Sequence, residues 1–62
     1  MNTNEMTSWF NPQTAQRVQI TRAPENTYNV YDGRPGGQVH RMVQGHVVRA
    51  LEARLKLDGF SR

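Results

Sequence analysis

Two histidines, an aspartate at the end of an alternating segment and a scatter of arginines carry the most obvious chemistry in this chain. His40 and His46 stand six positions apart. On a helix that spacing turns them to different sides, so they cannot act as the i,i+4 pair of a helical zinc motif. His46 falls in an apolar arc and reads as a core or interface residue, whereas His40 reads as solvated. Asp32 has no second carboxylate beside it for acid–base work. The chain has no Cys, which removes disulfides and thiolate metal sites. No nucleophile stands beside a base. The sequence points away from catalysis, and no metal or cofactor is expected.

Binding chemistry is better represented. Gly33-Arg34-Pro35-Gly36-Gly37 precedes a segment that reads as a helix, and helix N-termini attract anions. The Lys-Ser/Thr of a Walker loop is missing. A flexible linker is the plainer reading, with Arg34 as a phosphate contact in the alternative. Arg17, Gln19, Thr21, Asn29 and Tyr31 are side chains suited to base edges, phosphates or stacking. They recur at alternate positions, which raises the question of what element would align them.

That element is a β-hairpin over residues 17–32. Arg17–Arg22 and Thr27–Asp32 each alternate with period two. Pro24-Glu25-Asn26 lies between them. Pro suits the first position of a type I turn, and Asn tolerates the left-handed conformation at the third loop position. Ala23 then pairs with Thr27, Arg22 with Tyr28, Ile20 with Val30 and Val18 with Asp32. Val18, Ile20, Tyr28 and Val30 form the core face. Arg17, Gln19, Thr21, Asn29 and Tyr31 form the outer one, a polar ribbon of the kind that fits a DNA major groove.

Residues 38–58 read as one long helix. Gly59 fits the position just past its last turn, and Phe60 falls where a Schellman motif places its apolar contact with Leu55. Glu52 and Lys56 have favourable i,i+4 spacing. The helix start is weak, because only Gly37 stands at the cap and Gly45 interrupts the interior. A rival reading makes 38–43 a third strand, with the helix beginning near Gly45. That strand would put Val39, Arg41 and Val43 on one face, mixing charge with apolar surface. As a helix at about 100° per residue, Val39, Met42, Val43, His46, Ala50, Ala53 and Leu57 face the hairpin. Val48, Leu51 and Leu55 then make a second apolar stripe, and Arg41 and Arg49 face solvent.

A two-stranded hairpin covers only one side of a helix and is thin on its own. The expected fold is therefore α+β, a small ββα domain completed by a homodimer in which Val48, Leu51 and Leu55 meet the same helix of a second chain. Residues 1–8 read as a loose arm. Trp9 and Phe10 follow it, either as a plug over the core or as an exposed anchor for a partner. Asn11-Pro12 then signals at most one helical turn.

The 62 residues make a single small domain, for which oligomerisation is a usual source of extra stability. Eight basic against five acidic side chains leave a net charge of +3, a mild bias toward polyanions or an acidic protein surface. No secretory leader or membrane span is visible, so a cytoplasmic protein is expected, without a membrane partner. Two non-catalytic roles follow. One is a regulatory protein that binds nucleic acid through Arg17, Gln19, Thr21, Asn29, Tyr31, Arg34, Arg41 and Arg49. The other is an inhibitor or adaptor that docks on a host protein complex through Val48, Leu51, Leu55, Trp9 or Phe10. In general style the chain resembles the accessory proteins of phages and mobile elements.

Overall fold

The computed structural model of the protein describes residues 6–62. Four strands, β1 (Met6–Asn11), β2 (Gln16–Ala23), β3 (Thr27–Asp32) and β4 (Val39–Gln44), precede one helix, α1 (Gly45–Leu57). The strands lie in sequence order in one antiparallel sheet. The class is α+β as expected, but the hairpin is the centre of a four-strand meander.

The central pairing follows the sequence register. Ile20 pairs with Val30 and Arg22 with Tyr28, and Val18, Ile20 and Val30 are buried. The Arg22 guanidinium lies 5.7 Å from the centre of the Tyr28 ring. The turn differs from the expected type I. Thr27 N–H donates to the Pro24 carbonyl, and Glu25 and Asn26 between them both have positive φ. Two left-handed residues give the turn the twist of its flanking strands. The register is unchanged, although the sequence marks only Asn26 for that conformation.

The segments on either side of the hairpin each add a strand. Met6, Thr7 and Ser8, expected in a loose arm, pair with Thr21, Ile20 and Gln19; residues 1–5 of that arm lie outside the described residues. The pairing sets Trp9 opposite Val18 on the core face, where it is 2% exposed. Trp9 is therefore a core residue and not a partner anchor. Phe10, one position on, must face the other way. The turn after β1 is the one that Asn11-Pro12 predicts. The Asn11 side-chain oxygen accepts from the Gln13 N–H at 2.9 Å, and its carbonyl accepts from Ala15 N–H at 2.7 Å.

The long helix over 38–58 is corrected. Residues Val39–Gln44 form the fourth strand, and the helix begins at Gly45. A bulge removes the objection to a strand here. Tyr28 pairs with Val43 but Val30 with His40, so Asn29 stands opposite both Arg41 and Met42. The extra residue changes the parity of the strand. Val39 joins Tyr31 on the outer side, while Val43 joins Tyr28 on the core side. Met42 takes the left-handed conformation at φ 57°, and its N–H donates to the Asn29 side-chain oxygen at 3.3 Å.

The helix also presents the opposite face from the one expected. Val48 and Leu55 are buried in one cluster with Trp9, Val18, Ile20, Val30 and Phe60, and Leu51 packs against it. The stripe assigned to a second chain is thus covered by the protein's own sheet. A sheet with four strands has room for it, which the two-strand platform lacked. His46, Ala50, Ala53 and Leu57 are exposed instead. The helix end is as the sequence indicates. Phe60 N–H donates to the Leu55 carbonyl at 2.9 Å and Gly59 N–H to Lys56 at 3.2 Å, with Gly59 at φ 96°. This is the Schellman pattern. Glu52 turns to the core, accepting from the Trp9 indole N–H at 3.2 Å.

This inversion of faces gives a direct test by chemical denaturation. Leu55→Ala, at a fully buried position, is expected to cost about 2–5 kcal/mol. Leu57→Ala, at a residue 82% exposed, should stay within about 0.5 kcal/mol of wild type. Equal losses at the two positions would contradict the helix orientation.

Candidate nucleic-acid interface on the open sheet face

The helix occupies one face of the sheet. The other face has no layer over it among the described residues. Register and alternation place Met6, Ser8 and Phe10 of β1, Arg17, Gln19 and Thr21 of β2, and Asn29 and Tyr31 of β3 on it, with Val39 of β4. All five hairpin residues expected to bind nucleic acid therefore share one surface. Among the described residues, no strand position whose register points to this face carries a carboxylate, and Asp32, opposite Val18 on the core side, borders the face only at the end of β3.

Two rows organise the surface. Ser8, Gln19, Tyr31 and Val39 form a row across all four strands. Phe10 and Arg17 form the next, and the Arg17 guanidinium lies 5.3 Å from the centre of the Phe10 ring. That contact holds a flexible cation over an aromatic face. Between the rows lies a hollow of about 280 Å³ lined by Arg17, Gln19, Tyr31, Asp32, Gly33 and Val39. Its floor requires glycine. A Cβ on Gly33 would stand 2.4 Å from the Arg17 carbonyl oxygen, which accepts the Gly33 N–H at 2.9 Å.

The remaining basic candidates are not brought to this surface in the same way. Arg34 is tied to Asp32. Its Nε and Nη2 donate to the two carboxylate oxygens at 2.9 and 2.7 Å, and its backbone N–H donates to Oδ1 at 3.0 Å. The pairing with Asp32 fixes the loop and offsets the charge of Arg34. Arg41 stands in the bulge at the edge of the sheet, opposite Asn29. Arg49 lies on the helix, on the far side of the sheet. It lines a separate cleft of about 190 Å³ with Thr7, Tyr28, Glu52 and Arg62.

Sequence reasoning missed Phe10, Ser8 and Val39 as members of the face. The alternation in Thr7-Ser8-Trp9-Phe10-Asn11 was available to find the first two, since Trp9 inward implies Phe10 outward. Val39 depends on the bulge, which leaves no simple sequence mark. Among the described residues no three or more His, Asp or Glu side chains gather as a metal site, and no helix is long and apolar enough to cross a membrane. No protein-family model, curated protein or solved structure matches the chain.

The ion pair below the hollow has a pH signature. Hydrogen bonds from the Arg34 side chain hold the Asp32 carboxyl below the usual carboxylate range. Burial opposes this, and the Arg34 N–H and charge and the charge of His40 add to the lowering. A lowered folded-state value means stability that is present above the unfolded pKa and is lost as pH falls through the folded one. Asp32→Asn should therefore be less stable than wild type at neutral pH. The gap should close below about pH 4. Urea midpoints across that range measure it, and a gap independent of pH would reject the pair as its source.

Proposed function

We propose that the protein is a non-catalytic regulatory protein that binds nucleic acid on the outer face of its sheet. One observation carries the reading: the face left open by the helix collects Arg17, Gln19, Thr21, Asn29, Tyr31 and Phe10 with no strand carboxylate among them. Gln, Asn and Thr offer donors and acceptors to base edges, aromatic rings offer stacking planes, and Arg17 supplies charge. Exposed polar strands also occur for solubility alone. The partly exposed rings of Phe10 and Tyr31 beside them, at 36% and 37%, favour a recognition surface.

Titration of labelled single-stranded and duplex oligonucleotides at several salt concentrations tests the proposal. Log affinity should fall linearly with log salt. The slope should be shallow, corresponding to about two phosphates for Arg17 and Arg41. Arg17→Ala should reduce it by roughly one. Absence of binding to either form at low salt would end the proposal.

A second reading rests on the β4 edge. β4 is an outermost strand of the sheet, and Val39 and Met42 on it and Val47 on the helix are exposed. Val43, Val47 and Leu51 line an adjacent cleft of about 270 Å³. An open edge favours an identical strand from a second copy across a two-fold axis. On this reading the protein is a homodimer paired through β4 rather than through helix faces. Sedimentation across a wide dilution range should show dissociation, and Val47→Asp should be monomeric while keeping its helical circular dichroism. A wild type that is monomeric throughout would remove the dimer. The apolar edge would then remain as the surface for docking on a host protein.

A further inference from the structure

We infer that the ligand of the outer face is single-stranded nucleic acid, with one unstacked base seated in the hollow beside Tyr31. The inference rests on the nucleic-acid reading above and narrows it. Two features of the face point this way. The first is width. A two-stranded ribbon enters a major groove, but here the hairpin is embedded between β1 and β4. Four strands spaced about 4.8 Å apart set their outer axes about 14 Å from one another before side chains are added. The major groove is about 12 Å wide. The hairpin's polar side chains therefore cannot reach the floor of a duplex groove without β1 and β4 meeting the phosphate walls.

The second feature is the hollow. It is a shallow, open depression of about 280 Å³, on which a flat heterocycle can lie by one face. Tyr31 offers a stacking plane and Val39 an apolar wall. The Gln19 amide offers both a donor and an acceptor that match the Watson–Crick edge of a base, an edge that only an unpaired strand exposes. Arg17 lines the same hollow and is held over Phe10. That places a guanidinium beside the hollow, within reach of the backbone phosphate of a seated nucleotide. Few cations beside the Tyr31 ring suit a ligand held by stacking more than by charge.

Fluorescence anisotropy with a labelled mixed-sequence 12-nucleotide single strand, as DNA and as RNA, and with the matching duplex provides the test. Both single strands should bind more tightly than the duplex, and the difference between them shows whether the 2′-hydroxyl is read. Tyr31→Ala should weaken single-strand binding roughly tenfold, while Tyr31→Phe, which keeps the ring, should bind as wild type does. Circular dichroism reports whether the Ala variant is folded. Should it unfold, Tyr31→Trp gives an independent readout, since a base stacked on the introduced indole quenches its fluorescence. Duplex binding that exceeds single-strand binding and ignores Tyr31→Ala would overturn this inference and leave the nucleic-acid reading standing. Binding of neither form would end both. Single-strand binding by the Tyr31→Trp variant with no quenching of the introduced indole would place the base elsewhere and overturn the hollow as its seat.

Discussion

The return of the C-terminus to the first strand is the constraint on which the arrangement depends. After α1 the chain turns at Gly59, and Ser61 exchanges two backbone hydrogen bonds with Phe10, at 2.8 and 3.0 Å. Beside them the Asn11 amide donates to the carbonyl of Asp58, the helix C-cap, at 3.1 Å. Asn11 is 5% exposed, and each end of its side chain has a partner, so its burial carries no unsatisfied group. Together these bonds tie the end of the helix to the edge of the sheet farthest from β4. The helix enters from β4 and leaves at β1, and must cross the sheet between them. Leu55 and Phe60 are thereby delivered onto Trp9 and Val18 in a single cluster. A chain this small has little core to spare, and nearly all of its buried apolar side chains lie along that crossing.

The same crossing decides which surface is free. A helix of 13 residues spans about 20 Å and covers one face of a four-strand sheet, with no second helix for the other among the described residues. The outer face is held in place by the bonds that build the inner one. Phe10 has its backbone fixed by β2 on one side and Ser61 on the other. Its ring therefore projects from a rigid position, as do Gln19 and Tyr31 from the central pair. A recognition surface on paired strands loses less conformational entropy on binding than one on a loop. The loop that borders the hollow is stiffened as well, by the pairing of Arg34 with Asp32 and by the close approach of Gly33 to β2.

The parts legible in the sequence are those in which local chemistry and long-range pattern agree. The register of β2 and β3 follows from alternation and a short turn, and both select Val18, Ile20 and Val30 as core. That register also selects the five polar residues of the outer face. The helix end is legible because Gly59 and Phe60 mark a motif with its own hydrogen bonds. The fourth strand reads wrongly because Val39, Met42 and Val43 fit a helical period, and the bulge that lets them serve a strand has no sequence signature of its own. Once that strand is taken for helix, the sheet loses a member and Val48, Leu51 and Leu55 have nothing to cover them. A homodimer across the helix is the consequence of that missing strand. Trp9 is ambiguous for a related reason, since a plug and an anchor differ only in whether its segment pairs with β2.

The distribution of charge changes what the basic composition means. Arg17 lies over Phe10, Arg22 over Tyr28 and Arg62 over Trp9, while Arg34 pairs with Asp32 and Arg54 with Asp58. These five guanidiniums, of eight basic side chains, are each engaged by a ring or a carboxylate of the same chain. They line the two faces, the hairpin tip and the helix end, so their fields do not sum into one stripe. A protein that depended on phosphate attraction would gather them, because counterion release grows with the number of phosphates neutralised. Here the net charge raises the encounter rate with a polyanion from any direction without setting an orientation. On the nucleic-acid reading, orientation must then come from the uncharged part of the outer face. Tyr31, Gln19 and Asn29 are held there at fixed register, with Arg17 the cation nearest to them. On the nucleic-acid reading, affinity would be set by ring contacts and amide geometry, with charge acting mainly before contact.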